Sequence, residues 1–299
     1  MAPSLTESLF AMGFGDRVVG VDDYSLWPPA AASKVRLGGL FNPNLERIVA
    51  LRPDLAVLLP SERDIGVKLE RLGIATLIVP AETLADVEKS VVAIAARCGD
   101  AAAGERAAAA WRTGLAPQPV PGAPRVMLCV DRQAGRLANL LAAAHGTFLD
   151  ELLARLGGVN VFADAASRYP QVAMEEVVAR APQVILELRT EPAPPAVVAT
   201  LIHDWNQLPS VPAVRDRRIE VIAGGFVLVP GPRLPLLYHR MRAALLAAGG
   251  AAAADGGAAA KHGREAAKDG GAAATDGRAA VTAEQGRGAA APVAPTERR

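Results

Sequence analysis

Short apolar runs alternate with amphipathic stretches along most of the chain. Residues 18–21, 55–59 and 75–79 have the length of buried strands. Residues 84–97 place apolar side chains on one face at helical spacing. Residues 4–7 read Ser-Leu-Thr-Glu, and this capping-box spacing predicts that a helix opens there. Strands and helices that alternate over short links predict parallel sheets flanked by helices, which is an α/β fold.

The alternation resumes after a proline-rich stretch at 117–124. Strands are predicted at 184–188 and 219–222, and helices at 174–180 and 234–246. The predicted organisation is two α/β lobes with a helical connector: an N-terminal lobe at 1–81, connecting helices and a linker at 82–124, a C-terminal lobe at 125–248 and a tail at 249–299. The tail is rich in alanine, glycine and scattered charge, and this low-complexity composition predicts disorder.

Composition excludes several kinds of protein. The chain has 299 residues, of which 51% are hydrophobic, and its net charge of +1 does not call for a nucleic-acid partner. No apolar run is long enough for a transmembrane helix, and no signal peptide is recognisable. Cysteines and histidines lack metal-ligand spacing, so no metal site is predicted. No phosphate-binding glycine loop or nucleophile–histidine–acid cluster is visible, so no catalytic residue is predicted.

One helix-then-strand phrase occurs twice, at 42–55 and at 169–184. When the prolines that end the two helices are aligned, Glu46 falls on Glu175. Each glutamate lies in the first helical turn, where the helix dipole favours an anion. A single copy would be interpreted as a surface residue that complements the dipole. Two copies in matching register also fit docking to a two-fold-symmetric basic partner.

Six short motifs are also typical of one family. They are Ala-Pro-Ser-Leu-Thr-Glu at 2–7, Gly-Asp-Arg-Val-Val-Gly-Val at 15–21, Tyr-Ser-Leu-Trp-Pro-Pro at 24–29, Asn-Leu-Glu-Arg-Ile-Val-Ala-Leu-Arg-Pro-Asp-Leu at 44–55, Tyr-Pro-Gln-Val at 169–172 and Leu-Pro-Ser-Val-Pro-Ala-Val-Arg-Asp at 208–216. With these motifs the chain resembles the class III periplasmic substrate-binding proteins of ABC importers, and most of all their vitamin B12 and iron-siderophore branch. The resemblance covers residues 2 to about 246. It implies two α/β lobes joined by a long rigid helix, with the ligand in the cleft between them.

The resemblance also implies roles for individual residues. Glu46 and Glu175 match lobe-surface glutamates that pair with arginines of the permease. Tyr24 matches a cleft aromatic residue that packs on the ligand, and Tyr169 falls where B12 binders carry an aromatic residue. Phe41 lies close to another aromatic position.

Further ligand contacts are expected from the second lobe. Arg136 and Asn139 follow its first strand and are candidates for polar contacts, with a solvated loop as the alternative for each. Phe226 is the aromatic candidate in the loop at 224–230, which lacks the polar and arginine residues expected opposite B12. Arg233 is expected to cap or anchor the last helix, and secondarily to contact the ligand.

The predicted function is non-catalytic capture of a cobalamin-like corrinoid and its delivery to an ABC permease. We expect the ligand to be cobalamin or an iron chelate, with no covalently bound cofactor, and the protein to be a monomer that binds no nucleic acid. The family resemblance implies a periplasmic or extracytoplasmic location. An iron-siderophore or heme binding protein of the same class is one alternative. A cytoplasmic α/β enzyme is an alternative from another class. Several cleft arginines would favour a ferric chelate, and few are visible.

The beginning of the sequence departs from the family pattern. Family members carry a strand directly before the Ala-Pro-Ser-x-Thr-Glu motif, preceded by a signal peptide, whereas here Met1 stands directly at that motif. That strand belongs inside the sheet of the first lobe. Its loss predicts unpaired backbone groups and an exposed groove. We therefore expect the true start to lie upstream.

Overall fold

The computed structural model describes residues 1–40 and 42–259. In this part of the chain the α-helices are α1 Pro3–Ala11, α2 Leu45–Ala50, α3 Arg63–Arg71, α4 Leu84–Arg97, α5 Ala101–Gly114, α6 Phe148–Arg155, α7 Met174–Arg180, α8 Pro195–Asp204, α9 Pro212–Arg215 and α10 Leu234–Ala259. The strands are β1 Gly20–Val21, β2 Val35–Arg36, β3 Leu55–Leu58, β4 Ala75–Ile78, β5 Arg125–Val130, β6 Leu140–Ala142, β7 Val159–Asn160, β8 Gln171–Val172, β9 Val184–Arg189 and β10 Ile219–Ala223.

The N-terminal strands form two separate pairs. Strand β1 lies parallel to β2, and β3 lies parallel to β4 over four residue pairs. The small core between β3 and its helices contains Ile48, Leu58 and Leu69, all almost fully buried. Ile48 comes from α2 and Leu69 from α3, so each helix buries one apolar stripe against this sheet.

The C-terminal strands form one six-stranded sheet in the order β10-β9-β5-β6-β8, with β7 also paired to β5. Strands β10, β9, β5 and β7 are parallel, as the helix–strand alternation predicts. Strand β6 runs antiparallel to both of its neighbours, β5 and β8. Strands β6 and β8 were not predicted, because runs of two or three residues give no periodicity signal. Almost every residue of β5 and β9 is buried, which explains why both are apolar apart from Glu187 and the arginines at their ends.

The connector consists of two helices packed against each other, α4 and α5, rather than the single long helix implied by the resemblance. Gly99 has a φ of +86°, and the Asp100 side chain accepts a hydrogen bond of 3.0 Å from the Ala103 amide. This turn and N-cap divide the two helices. One apolar cluster runs continuously from α1 through the connector to β5 and α10.

The last helix extends beyond its predicted end. Helix α10 reaches Ala259, past residue 249, where the sequence predicts the disordered tail to begin. Alanine has the highest helix propensity, which offsets the glycine pairs in this segment. The rest of the predicted tail, residues 260–299, lies outside the described residues, as does Phe41.

Candidate ligand cleft and docking surfaces

The loop after β1 presents two aromatic side chains to solvent. Tyr24 is 68% exposed and Trp27 is 47% exposed. The backbone beneath them is fixed by the buried carboxylate of Asp22, which accepts hydrogen bonds from the Tyr24 amide at 2.9 Å and from the Ser25 hydroxyl. Arg36 also donates to the Asp22 and Ser25 carbonyls. Because these hydrogen bonds already fix the backbone, a ligand that binds the two aromatic rings would not have to order the loop.

Arg233 ties this loop to the C-terminal half of the chain. Its guanidinium donates to both carboxylate oxygens of Glu7, at 2.9 and 2.5 Å, and to the Gly225 carbonyl at 2.6 Å. The same guanidinium lies 5.4 Å from the centroid of the Trp27 ring. Arg233 thus joins α1, the loop after β1 and the loop after β10, and it anchors the start of α10 as expected.

Glu7 is the acidic partner of this contact. It is 3% exposed, and its burial raises the pKa of the carboxyl, while the Arg233 guanidinium acts in the opposite direction. The predicted capping box of Ser4 and Glu7 is wrong. Helix α1 begins at Pro3 with Ala2 as its N-cap residue, which has no side-chain acceptor, so Ser4 lies inside the helix. Both Glu7 oxygens are engaged by Arg233 instead.

Asn139 and Tyr169 precede the paired strands β6 and β8, and because these strands are antiparallel the two residues lie at opposite ends of the pair. The Asn139 side-chain oxygen accepts a hydrogen bond of 3.1 Å from Gln171, and Asn139 has a φ of +54°. Tyr169 precedes Gln171 by two residues and is 38% exposed. Burial, together with the negative charge of Glu82, raises the pKa of Tyr169 to about 12, so its phenol stays protonated at neutral pH.

Arg136 is exposed in the loop between β5 and β6 and donates a 3.0 Å hydrogen bond to the Gln133 side chain. The loop is held from below by Arg132, which also donates to the Arg136 carbonyl. Arg132 is fully buried and pairs with Glu187 at 3.0 Å and Asp204 at 2.7 Å. This network was not predicted from the sequence. The sequence feature that could have revealed it is Glu187, a glutamate inside an otherwise apolar strand, because such a buried charge needs a buried partner.

Phe226 is half-buried and packs against the main core. Its ring lies over Gly224, where an added Cβ would come within 2.8 Å of Cε1. Phe226 follows Gly225, whose carbonyl accepts a hydrogen bond from Arg233, and Arg233 also contacts Trp27. Trp27, whose ring this arginine contacts, was not predicted as a candidate from the sequence, although an aromatic residue in a Trp-Pro-Pro loop is a usable signal.

Glu46 and Glu175 are exposed in the first turns of α2 and α7. The two copies of the repeated phrase have the same structure. Both helices begin eight residues before the proline, and the residue before each proline has a φ of 46°. The valine three residues after each glutamate is 39% exposed in both copies, and the preceding residue is buried. Each glutamate therefore lies on the same solvent-facing side as a partly exposed valine.

Residues 1–222 match the family model described as periplasmic binding protein. The chain belongs to this family. The vitamin B12-binding protein of Salmonella typhimurium is 34% identical to it over 189 residues, which are 62% of this chain and 70% of that protein. The crystal structure of the periplasmic vitamin B12 binding protein BtuF of Vibrio cholerae superposes with a TM-score of 0.68 at 26% identity, and covers 83% of this chain and 95% of that one. A periplasmic heme binding protein from Pseudomonas aeruginosa gives a TM-score of 0.68 at 26% identity, covering 81% and 89%.

This periplasmic binding protein therefore has two α/β lobes joined by a helical connector, with a ligand cleft between the lobes. The family resemblance inferred from the sequence motifs is confirmed. Within residues 1–40 and 42–259, no group of three or more potential metal ligands is close enough to hold an ion. Over the same ranges, no helix is both long and apolar enough to span a bilayer.

Proposed function

We propose that this protein captures a cobalamin-like corrinoid in the periplasm, without covalent attachment and without catalysis, and acts as a monomer that delivers it to an ABC permease. The observation that carries the proposal is the pair of exposed aromatic rings, Tyr24 and Trp27, on a backbone fixed by Asp22. A corrinoid is large, flat and partly apolar, so it gains by burying aromatic area. The vitamin B12-binding relatives point to the same class of ligand.

Two arginines near the candidate cleft are already engaged by carboxylates and are poorly suited to a ferric siderophore, whereas the side chain of the exposed Arg136 contacts only Gln133 among the described residues. Such a chelate presents anionic oxygens, which are best bound by arginines that have no partner within the protein. Arg233 is neutralised by Glu7, and Arg132 by Glu187 and Asp204. These guanidiniums would have to give up buried partners before binding an anion, at the cost of leaving a carboxylate unpaired.

Heme is the second candidate. Tyrosine oxygen can ligate ferric heme, and Tyr24 presents an exposed phenol. Heme binding proteins are among the solved structures that superpose on this chain. Tyr169 is the weaker candidate for this role, because its raised pKa opposes formation of the phenolate.

Isothermal titration calorimetry with cyanocobalamin, hemin and a ferric catecholate chelate tests the proposal. We expect cyanocobalamin to bind, and we expect Tyr24→Ala or Trp27→Ala to weaken its binding about tenfold, since each removes one stacking face. Leu72→Ala is the matched control, because Leu72 is an exposed apolar residue at the end of α3, outside the candidate cleft.

Tyr24→Phe separates the two candidates. It preserves stacking but removes the phenol oxygen, so it should leave corrinoid binding unchanged and abolish the charge-transfer absorption of a tyrosine–heme complex. Hemin binding that Tyr24→Phe abolishes, together with no heat from cyanocobalamin, would refute the corrinoid proposal.

Tryptophan fluorescence gives an independent signal. Trp111 is 8% exposed and Trp205 is fully buried, so Trp27 is the tryptophan that a cleft ligand can contact. Cyanocobalamin should quench the wild-type fluorescence, and the quenched amplitude should be smaller in Trp27→Phe, which lacks the contacted ring. An unchanged quenched amplitude would place the ligand away from Trp27.

We further propose that Glu46 and Glu175 dock the two lobes onto arginines of the permease. The support is the matching structure of the repeat, which presents a carboxylate and a neighbouring valine once on α2 and once on α7. A partner with two-fold symmetry offers the same socket twice.

A further inference from the structure

Three parallel strands of the C-terminal sheet end together at one edge. Strands β5, β9 and β10 end at Val130, Arg189 and Ala223, and the register pairs Arg189 directly with Ala223. Asp131 and Thr190 are the first residues of the loops that follow β5 and β9. In open α/β sheets, ligands bind beyond the carboxyl ends of the strands. This edge is therefore the part of the second lobe that a ligand in the cleft would reach.

The same edge is connected to the aromatic loop of the first lobe. The Gly224 amide donates a hydrogen bond of 3.0 Å to the Arg189 carbonyl. The next residue, Gly225, accepts a hydrogen bond from Arg233, whose guanidinium contacts the Trp27 ring. A Cβ added at Gly225 would meet no atom of the described residues within 4 Å, so there is open space beside this loop. A short backbone path thus joins Arg189 to the candidate cleft.

Arg189 retains hydrogen-bond donors for a ligand. A guanidinium carries five N–H groups. The Arg189 side chain is 12% exposed, and its one hydrogen bond within the described residues runs from Nη1 to the Arg132 carbonyl at 2.5 Å. The Asp131 carboxylate lies 3.8 Å from Nη1, which is too long for a hydrogen bond. The other N–H groups of Arg189 are therefore available to a group that enters from the cleft.

Asp131 supplies an acceptor beside these donors. Its side chain is 46% exposed, and its backbone, with a φ of +33°, is held by a hydrogen bond of 3.0 Å from its amide to the Leu188 carbonyl. One carboxylate oxygen, Oδ2, accepts a hydrogen bond of 3.2 Å from the Thr190 hydroxyl. The other oxygen, Oδ1, is the atom that lies 3.8 Å from Arg189. A donor and an acceptor of opposite charge therefore stand side by side at this edge.

We propose that Arg189 and Asp131 form an amide subsite, which binds a primary carboxamide on the periphery of the ligand. The guanidinium donates to the carbonyl oxygen of the amide, and Asp131 Oδ1 accepts from its N–H group. This subsite rests on the proposed corrinoid ligand, because a corrin ring carries primary carboxamide side chains, whereas heme carries carboxylates. A carboxylate in the same place would bring a second negative charge against Asp131, so the subsite favours the amide.

Matched ligands test the amide subsite on the full chain. Mild hydrolysis of cyanocobalamin gives monocarboxylic acids, in which one propionamide of the corrin ring has become a carboxylate that is ionised at pH 7. In isothermal titration calorimetry, we expect the wild type to bind at least one of these acids about tenfold more weakly than cyanocobalamin.

Two substitutions assign this preference to the pair. Asp131→Asn should reduce it to about twofold or less, because asparagine keeps an acceptor for the Thr190 hydroxyl and replaces the other oxygen by an N–H donor. Arg189→Met should weaken the binding of cyanocobalamin itself about tenfold, because it removes the donors to the amide oxygen.

The control makes the same exchange at the opposite edge of the sheet. Arg215 and Asp216 form a pair at 2.8 Å on the surface. They lie beside the amino end of β9, where the Ala213 amide donates to the Pro182 carbonyl. Asp216→Asn should therefore leave every affinity within about twofold of the wild type.

The outcomes separate the subsite from the proposed function. If the wild type binds cyanocobalamin and all its acids equally, or if Asp131→Asn leaves the preference unchanged, the amide subsite is overturned and the corrinoid ligand stands. Absence of cyanocobalamin binding would overturn both. Because the preference is a ratio of affinities measured within one variant, a general loss of stability does not alter it.

Discussion

Replacing Arg233 by methionine should destabilise the protein more than any exposed arginine substitution. Methionine keeps most of the apolar stem of the side chain but removes the guanidinium, so the Glu7 carboxylate loses a bidentate partner while remaining buried. A charge-assisted pair of this kind contributes about 1.5–3 kcal/mol, and the contact with the half-exposed Trp27 ring contributes about 0.5–1 kcal/mol. The sum is about 3 kcal/mol, which corresponds to a fall in Tm of about 6–12 °C.

A double-mutant cycle isolates the Glu7–Arg233 interaction. Urea unfolding of the wild type, Glu7→Gln, Arg233→Met and the double variant gives four free energies of unfolding. Because the double variant has no buried unpaired charge, it should be more stable than the sum of the single losses predicts, by about 1–3 kcal/mol. Arg106→Met is the matched control, because Arg106 and Asp100 form an exposed pair at 3.7 Å whose loss should cost less than about 0.5 kcal/mol.

The outcome that would refute this reasoning is additivity. If the two single losses sum to the double loss within about 0.5 kcal/mol, Glu7 and Arg233 contribute independently and do not form a coupled bridge between α1 and α10. A loss in Arg233→Met no larger than in Arg106→Met would refute the estimated magnitude as well.

Three further predictions concern charge. Burial raises the pKa of Glu7 above its ordinary 4.5, so between pH 4.5 and the raised pKa the folded protein keeps a proton that the unfolded chain releases, and the stability due to Glu7 is lost as the pH rises through this window. In Glu7→Gln the free energy of unfolding should therefore depend less on pH over the same window. An unchanged pH dependence would contradict this prediction. The double variant Glu46→Ala, Glu175→Ala should bind the permease at least tenfold more weakly in a vesicle pull-down, with its ligand affinity unchanged. The control Glu105→Ala on α5 should change neither quantity. If the double variant also loses ligand affinity, the two glutamates serve the fold. In an ultraviolet titration, the wild type should show a phenol ionisation near pH 12 that is absent from Tyr169→Phe. If the ionisation that Tyr169→Phe loses lies near pH 10 instead, Tyr169 is not desolvated.

Local sequence patterns were sufficient to predict most of the individual helices and strands. The predicted helix at 174–180 coincides with α7, and the predicted strands at 55–59 and 184–188 each differ from β3 and β9 by one residue at the carboxyl end. These segments combine strong periodicity with a proline or glycine boundary, which are signals carried by neighbouring residues. The repeated phrase was found for the same reason.

The residues that organise the candidate cleft could not be found in this way. Glu7 and Arg233 are 226 positions apart, and Arg132 and Asp204 are 72 apart. No local pattern pairs such residues, because their partner is chosen by which elements pack together and how completely each charge is removed from water. Reasoning from nearby residues therefore assigned Glu7 to a helix cap.

By itself, the sequence determined the alternation of helices and strands, the family, and the twin positions of Glu46 and Glu175. These features depend on spacing along the chain, which is fixed before folding. Tertiary structure alone decided that Trp27 is stacked beside Arg233 and that Arg132 is buried between two carboxylates. Each of these depends on distances through space and on loss of solvent, which exist only once the lobes have formed.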